Sequence, residues 1–286
     1  MTRDKHLHSR DHSRDVAGLR YVYPVVSRRA QGVSIGINLN PNNACNWRCV
    51  YCQVPDLIRG KAPVIDHALL ERELRTFLDD VLSFDFYERY GVEYGYRRLR
   101  DLAISGNGEP TSADDFSAIV ELIGRVMKDY DLCDDLNLVL ISNGSLVHHA
   151  RVQQGLKKIH KLGGEVWFKV DCATDTGLKR INLAAISARR MQHNLQICAE
   201  LCRTWVQTCV FNFDGLSLSN EECQAYIDLL AAIANAENHF KGVLIYGLAR
   251  RSQQPERHRL SEVNAEWLQQ FVSNIQRLPL EVRVNI

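Results

Sequence analysis

Residues 43–54 read NACNWRCVYCQV and carry cysteines at positions 45, 49 and 52. The neighbours are Asn42, Asn43, Asn46, Trp47 and Arg48, and no apolar stripe contains the thiols. A loop can curl three thiolates around one inorganic core, which a straight helix or strand cannot. Runs of this kind hold iron–sulfur clusters, and soft sulfur suits iron and zinc. A redox motif needs only a pair of cysteines. Structural zinc wants a fourth Cys or His nearby, and the nearest histidine after the run is His67, with no second paired ligand. The protein therefore offers three ligands where four metal positions are expected, and one position stays open.

The remaining cysteines read differently. Cys198 and Cys202 share one helical stripe with Met191 and Leu195, and Cys223 shares a face with Tyr226, Ile227 and Leu230. Buried thiols on such stripes act as small apolar residues. Cys209 lies in a strand pattern, while Cys133 and Cys172 stand alone. A second cluster drawn from Cys198, Cys202, Cys209 and Cys223 stays open at this level.

Outward from the loop, apolar runs and helical stripes alternate. VSIGINLN (33–40), LRDLAIS (99–105), LNLVLIS (136–142), EVWFKVD (165–171), WVQTCVF (205–211) and KGVLIYG (241–247) are strand candidates. Helical periodicity follows them near 67–82, 114–130, 147–162, 187–203, 220–236 and 261–276, and LEVRVNI closes the chain as a short strand. Ser112 with Asp115, and Ser219 with Glu222, have capping-box spacing. Continuous apolar strands each followed by a helix predict a parallel sheet covered by helices, either open and doubly wound or a partial barrel. Function then belongs on the loops after the strand C-termini. Residues 1–30 read as a polar extension containing His6, His8 and His12, and residues 31–286 as a single core domain with a C-terminal helix and strand. The aromatic insertion 83–98 has no clear period and reads as packing against one end of the barrel.

The chain has 286 residues, 45% apolar and 24% charged, with a formal charge of +1. That excludes a global basic field for nucleic acid. No apolar run reaches the about 20 residues of a membrane span. The polar N-terminus lacks a signal core, so a cytoplasmic protein with reduced thiols is expected.

The spacing C-x3-C-x2-C, with Tyr51 just before the last cysteine, resembles the cluster signature of the radical S-adenosylmethionine (SAM) superfamily. The resemblance runs on in order. SGNGEPT (105–111) stands where the family has a Gly-Gly-Glu-Pro motif, with Asn107 in place of the first glycine. ISNGSL (141–146) and KVDCATD (169–175) follow the next strands. Together with VDCATDTGLKRIN, these features look most like the wybutosine-synthesis-type (4-demethylwyosine synthase-like) branch.

The resemblance implies a partial (β/α)6 barrel and a [4Fe–4S] cluster on Cys45, Cys49 and Cys52. It implies SAM contacts from Tyr51, Asn107, Gly108, Glu109, Ser142, Asn143, Lys169 and Asp171. It further implies reductive cleavage of SAM to a 5′-deoxyadenosyl radical that abstracts hydrogen from an unidentified substrate, which could be a small molecule, a peptide or a tRNA base. An external electron donor such as flavodoxin or ferredoxin is implied as partner. Branch resemblance points to nucleic acid, whereas the near-neutral charge points away from it. The arginines of GLARRSQQPERHR (247–259) would suit an anionic substrate. A non-catalytic iron–sulfur redox or oxygen sensor is the alternative, and Glu109 separates the two, since a sensor needs no seat for the SAM ammonium.

Overall fold

The computed structural model describes Leu7 and residues 18–27, 31–248 and 250–285. The histidines at 6, 8 and 12 lie outside these residues. An eight-stranded sheet forms the centre. Its strands are β1 (Val22–Ser27), β2 (Gly32–Ile37), β3 (Leu99–Ile104), β4 (Asn137–Ser142), β5 (Glu165–Lys169), β6 (Arg203–Cys209), β7 (Phe240–Tyr246) and β8 (Glu281–Asn285). They are hydrogen-bonded in chain order. From β2 to β8 every neighbouring pair is parallel; β1 runs antiparallel to β2. Residues from both edge strands, Tyr23 of β1 and Asn285 of β8, line one cavity, so the sheet curls into an incomplete barrel.

Helices α1 (His67–Val81), α2 (Phe116–Asp129), α3 (Ala150–Lys161), α4 (Ala188–Leu201), α5 (Asn220–Ala234) and α6 (Ala265–Ile275) link the strands. Period-2 alternation divides the labour of each strand. On β2, Val33, Ile35 and Ile37 join the helix-covered core, while Ser34 and Gly36 face the cavity. On β6, Val206 joins that core, while Gln207 and Cys209 face the cavity.

The sheet begins before the boundary expected at residue 31, because β1 lies inside the stretch read as a polar extension. Its docking has two causes. Glu73, on the buried face of α1, accepts the backbone N–H groups of Arg20 (2.9 Å) and Tyr21 (2.8 Å). Tyr23 stands opposite Gly36 in the register, and its ring fills the space where a Cβ at position 36 would sit. The Tyr23 hydroxyl then reaches Ser105 at the end of β3.

Capping differs from the spacing rule. Ser219 caps α5 through the Glu222 N–H. Before α2, however, Ser112 donates to the Glu109 carbonyl (2.6 Å) and accepts from Ala62 N (2.9 Å). Asp115 takes the cap position without a side-chain cap bond, and its carboxylate meets His67. The last helix starts at Ala265 under an Asn264 cap, because residues 260–261 pair instead with Asn212–Phe213. The insertion 83–98 buries Phe86, Tyr90 and Val92 against α1 and the rest of the core and joins β3 at its N-terminal end, opposite the strand termini that carry the site.

Gly36→Ala places a methyl group about 2.1 Å from the Tyr23 ring. Chemical denaturation followed by tryptophan fluorescence should show a loss of about 1–3 kcal/mol, the usual cost of overpacking.

Candidate active site

The cavity measures about 390 Å³ and opens among the C-terminal ends of the strands. Cys45, Cys49 and Cys52 all stand on its wall, with Tyr51, Asn107, Gly108, Glu109, Asn143 and Lys169. The sequence-predicted loop and strand-end residues therefore meet in one place, with Ser142 and Asp171 as the exceptions.

The cysteine loop leaves β2 through Asn38 and Asn40. Asn38 Oδ1 accepts both Asn40 N and Asn107 N at 3.0 Å, and Asn40 Nδ2 donates to the Ala44 carbonyl at 2.9 Å. A Cβ at Gly108 would fall 2.0 Å from that carbonyl, so the turn before Glu109 requires glycine to approach the loop. Asn107 Nδ2 donates to Asn43 Oδ1 at 2.6 Å, which supplies a reason for a side chain where the family motif has glycine.

Glu109 is buried and accepts from Thr111 N, Thr111 Oγ1 and Ser142 Oγ on one oxygen, and from Asn143 N on the other. Burial raises its pKa while these donors oppose the rise. Ser142 stands behind the cavity wall and acts on Glu109, not on the cavity itself. Asp171 is likewise displaced. The strand ends at Lys169, and the Asp171 carboxylate turns beneath the wall to accept from Cys209 N (2.9 Å), Asn182 Nδ2 (2.8 Å) and the Tyr51 hydroxyl. Of the two residues expected to reach the ligand, Lys169 lines the cavity and Asp171 does not. Lys169 donates to Tyr246 Oη at 2.6 Å and stands over the Tyr51 ring. Burial opposes its charge, yet nearby Tyr246, Asp171 and Cys49 hold its pKa above the ordinary lysine value.

Burial pushes the Cys45 and Cys49 thiols up to about 12. Such thiols give up their protons to a metal and not to water. Trp47 N donates to Cys45 Sγ at 3.4 Å and Asn182 Nδ2 to Cys49 Sγ at 3.3 Å, bonds that stabilise thiolate charge. Among the described residues, no set of three or more Cys, His, Asp or Glu side chains converges on a single metal ion. Three thiols on the wall of one cavity suit an iron–sulfur core. The acceptors also fit. Asn107 Oδ1 is buried without a hydrogen-bond donor among the described residues, and it lies beside Glu109 on the same wall. A ligand ammonium would satisfy both.

Two segments that the sequence reading quoted for other roles clamp the loop. Inside, Ile181 O and Asn182 O accept from Val50 N (2.9 Å) and Arg48 N (3.2 Å). Outside, Ser252 Oγ donates to the Val50 carbonyl (2.7 Å), Gln253 N to that of Cys52 (2.9 Å) and Gln254 Nε2 to that of Val54 (3.0 Å). Arg48 completes the outer clamp with a two-pronged pair to Glu256 at 2.9 and 2.8 Å. Of the arginines expected to face a substrate, Arg250 lines the cavity. Arg259 is instead paired with Asp214 over the Phe213 ring, and Arg251 and Arg257 are exposed. Cys209 and Tyr246, register neighbours, also line the cavity. Cys198 and Cys202 lie in the core behind β6, so the four thiols considered for a second cluster do not assemble among the described residues.

A curled, mostly parallel sheet with three thiols and a buried carboxylate at its C-terminal mouth defines a partial-barrel protein built for an iron–sulfur cofactor. Comparison with known proteins gives the family. The model of the Radical SAM superfamily matches residues 39–230, so the chain belongs to that superfamily. Its members bind a [4Fe–4S] cluster and SAM, and these are the cofactors of this chain. A UPF0026 protein of Helicobacter pylori is 29% identical over 136 residues, 47% of this chain and 38% of that protein. A UPF0026 protein of Methanocaldococcus jannaschii is 30% identical over 159 residues, 56% of this chain and 42% of that one. The matched stretch thus spans less than half the length of either relative. In fold, the chain resembles TYW1 with a lysine–pyruvate adduct bound (TM-score 0.54, 15% identity, 85% of this chain and 73% of that one). It also resembles a radical SAM methyltransferase from Sphaerobacter thermophilus (TM-score 0.53, 11% identity, 92% of this chain and 68% of that one). Among the described residues no helix is long and apolar enough to cross a membrane.

Glu256 is held below the usual carboxylate range by the Arg48 hydrogen bonds, so its stabilising effect is present above that range and is lost as pH falls through the folded-state value. In urea melts of metal-free protein, Glu256→Gln should cost about 1 kcal/mol near pH 7, and the difference from wild type should shrink as pH falls below the usual carboxylate range.

Proposed function

We propose that the chain is a radical SAM enzyme in which Cys45, Cys49 and Cys52 hold the cluster and SAM lies along the cavity from the loop to the 107–109 turn. The observation that carries this reading is the acceptor pair of Asn107 Oδ1 and Glu109 on the same wall as the three thiols. A redox or oxygen sensor would need the thiols but not a pair of buried acceptors beside them. When bound, the cluster and SAM supply a reductively generated carbon radical able to remove a hydrogen atom from a substrate.

The chain's own residues do the rest. Glu109 and Asn107 orient the SAM amino group, and Ser142 and the Asn143 N–H fix the carboxylate that does so. Gly108 lets that turn meet the cysteine loop. Lys169, inside the wall, is placed to meet the SAM carboxylate or ribose, while Asp171 acts one step removed by holding Tyr51 and Asn182. The apolar cavity lining, including Trp47, Val54, Val139 and Ile141, keeps water from the reacting centre. Electrons come from an external carrier such as flavodoxin or ferredoxin, in the cytoplasm. A small substrate, anionic where it meets Arg250, fits this chain better than a tRNA base, since a formal charge of +1 offers no basic field for RNA.

After anaerobic reconstitution, dithionite plus SAM should yield 5′-deoxyadenosine by chromatography; an intact cluster that never cleaves SAM under varied reductants sinks the enzyme reading. Cys49→Ala should remove the cluster absorbance, and a full cluster in that variant contradicts the ligand assignment. Glu109→Gln should weaken SAM binding by about 10-fold in equilibrium dialysis, the cost of losing a charged hydrogen-bond partner.

A further inference from the structure

One group on the cavity wall is used neither by the cysteine loop nor by the Glu109 turn. Gln207 lies on β6, is 1% exposed and lines the cavity. Its side-chain Nε2 is buried and has no acceptor among the described residues. A buried amide N–H without an acceptor is costly, and native proteins keep few of them. The neighbours in register explain why nothing in the sheet supplies one. On β5 stands Lys169, whose ammonium can only donate and does so to Tyr246. On β7 stands Leu244, which is apolar.

The depth of this donor is set by the strand. Cys209 is on the same face two residues further on, about 6.6 Å nearer the C-terminal mouth. The three cluster-loop thiols line the same cavity. Gln207 therefore stands deeper along β6 than Cys209. The lining also includes Val139 and Ile141 on β4 and Trp167 on β5, with Ser34 on β2 and Asp101 on β3 as polar members. A chamber with one unmatched donor and a flat apolar wall is a recognition site for a molecule with the opposite pattern.

We propose that Gln207 is the recognition donor of a substrate subsite beneath the cofactor, and that the substrate offers it a carbonyl or carboxylate oxygen borne on a flat or apolar body that packs on Trp167, Val139 and Ile141. This rests on the reading that SAM occupies the upper cavity between the thiols and Glu109. The donor then distinguishes substrates with an oxygen acceptor at that depth from isosteres lacking it.

The test compares the thermal unfolding of reconstituted wild-type, Gln207→Leu and Gln207→Met holoenzymes under anaerobic conditions, without SAM and at saturating SAM. Removing a donor that the protein leaves unmatched should raise the melting temperature by about 2–4 °C. A donor reserved for substrate keeps that gain when SAM is bound, and 5′-deoxyadenosine formed without substrate stays at the wild-type level. Loss of the gain on adding SAM assigns the donor to the cofactor and overturns the proposal. Variants that melt at or below wild type mean that Gln207 is already satisfied within the protein or by buried water, which overturns it too. Branching in leucine can strain the strand, so the straight-chain Gln207→Met decides where the two variants disagree. Failure of the underlying reading has its own signature: SAM gives wild type no rise in melting temperature, whatever the variants do.

Discussion

An irregular loop that presents three thiols on one side has backbone carbonyls and N–H groups that no ladder satisfies, and the architecture of the site follows from meeting that demand. Buried main-chain groups must be paired. Here they are paired from two directions. The turn at 181–182 accepts N–H groups from the inner side, and the 252–254 segment donates to carbonyls from the outer side. The side of the loop that remains is the one facing the cavity. The thiols line that cavity.

The same logic spreads to the neighbouring loops. Asn38, Asn40 and Asn107 tie the cysteine loop to the turn that carries Glu109, and Asn143 ties both to the end of β4 through Asn46. These short amides can donate and accept at once, which suits a place where several strand ends meet and each has orphaned backbone groups. The carboxylates divide by their surroundings. Glu109 lines the cavity while held by four donors, whereas Asp171 lies off the wall and braces Tyr51, Cys209 and Asn182. Two buried acids at the ends of parallel strands thus do different work because Glu109 lines the cavity and Asp171 does not.

The outer clamp lies at 252–256, beyond the residues that match the superfamily, and it reaches back across the barrel to residues 48–54. Pairings at a sequence distance of about two hundred residues leave no local pattern. Ser252 and Gln254 look like ordinary loop polar residues until the loop they satisfy is brought beside them. The arginines of the same segment looked like a charged patch, but they part company: Arg259 is neutralised by Asp214, Arg251 and Arg257 are exposed, and Arg250 lines the cavity.

What the sequence determined by itself was whatever depends on short range. The cysteine spacing and the order of motifs after successive strands are local, as are the helical stripes such as Leu70, Leu74, Phe77 and Leu78; hence the family, the partial barrel and the thiol triad were legible. Tertiary structure decided what depends on closure. The stretch at 22–27 became a strand because Glu73 and Gly36, far along the chain, provide its hydrogen bonds and the space for Tyr23. Ser142 and Asp171 moved behind the wall because their oxygens found partners there. Gln207 came to matter only when the curled sheet set it among neighbours with nothing to accept its proton, since satisfaction of a polar group is a property of its surroundings and not of its type.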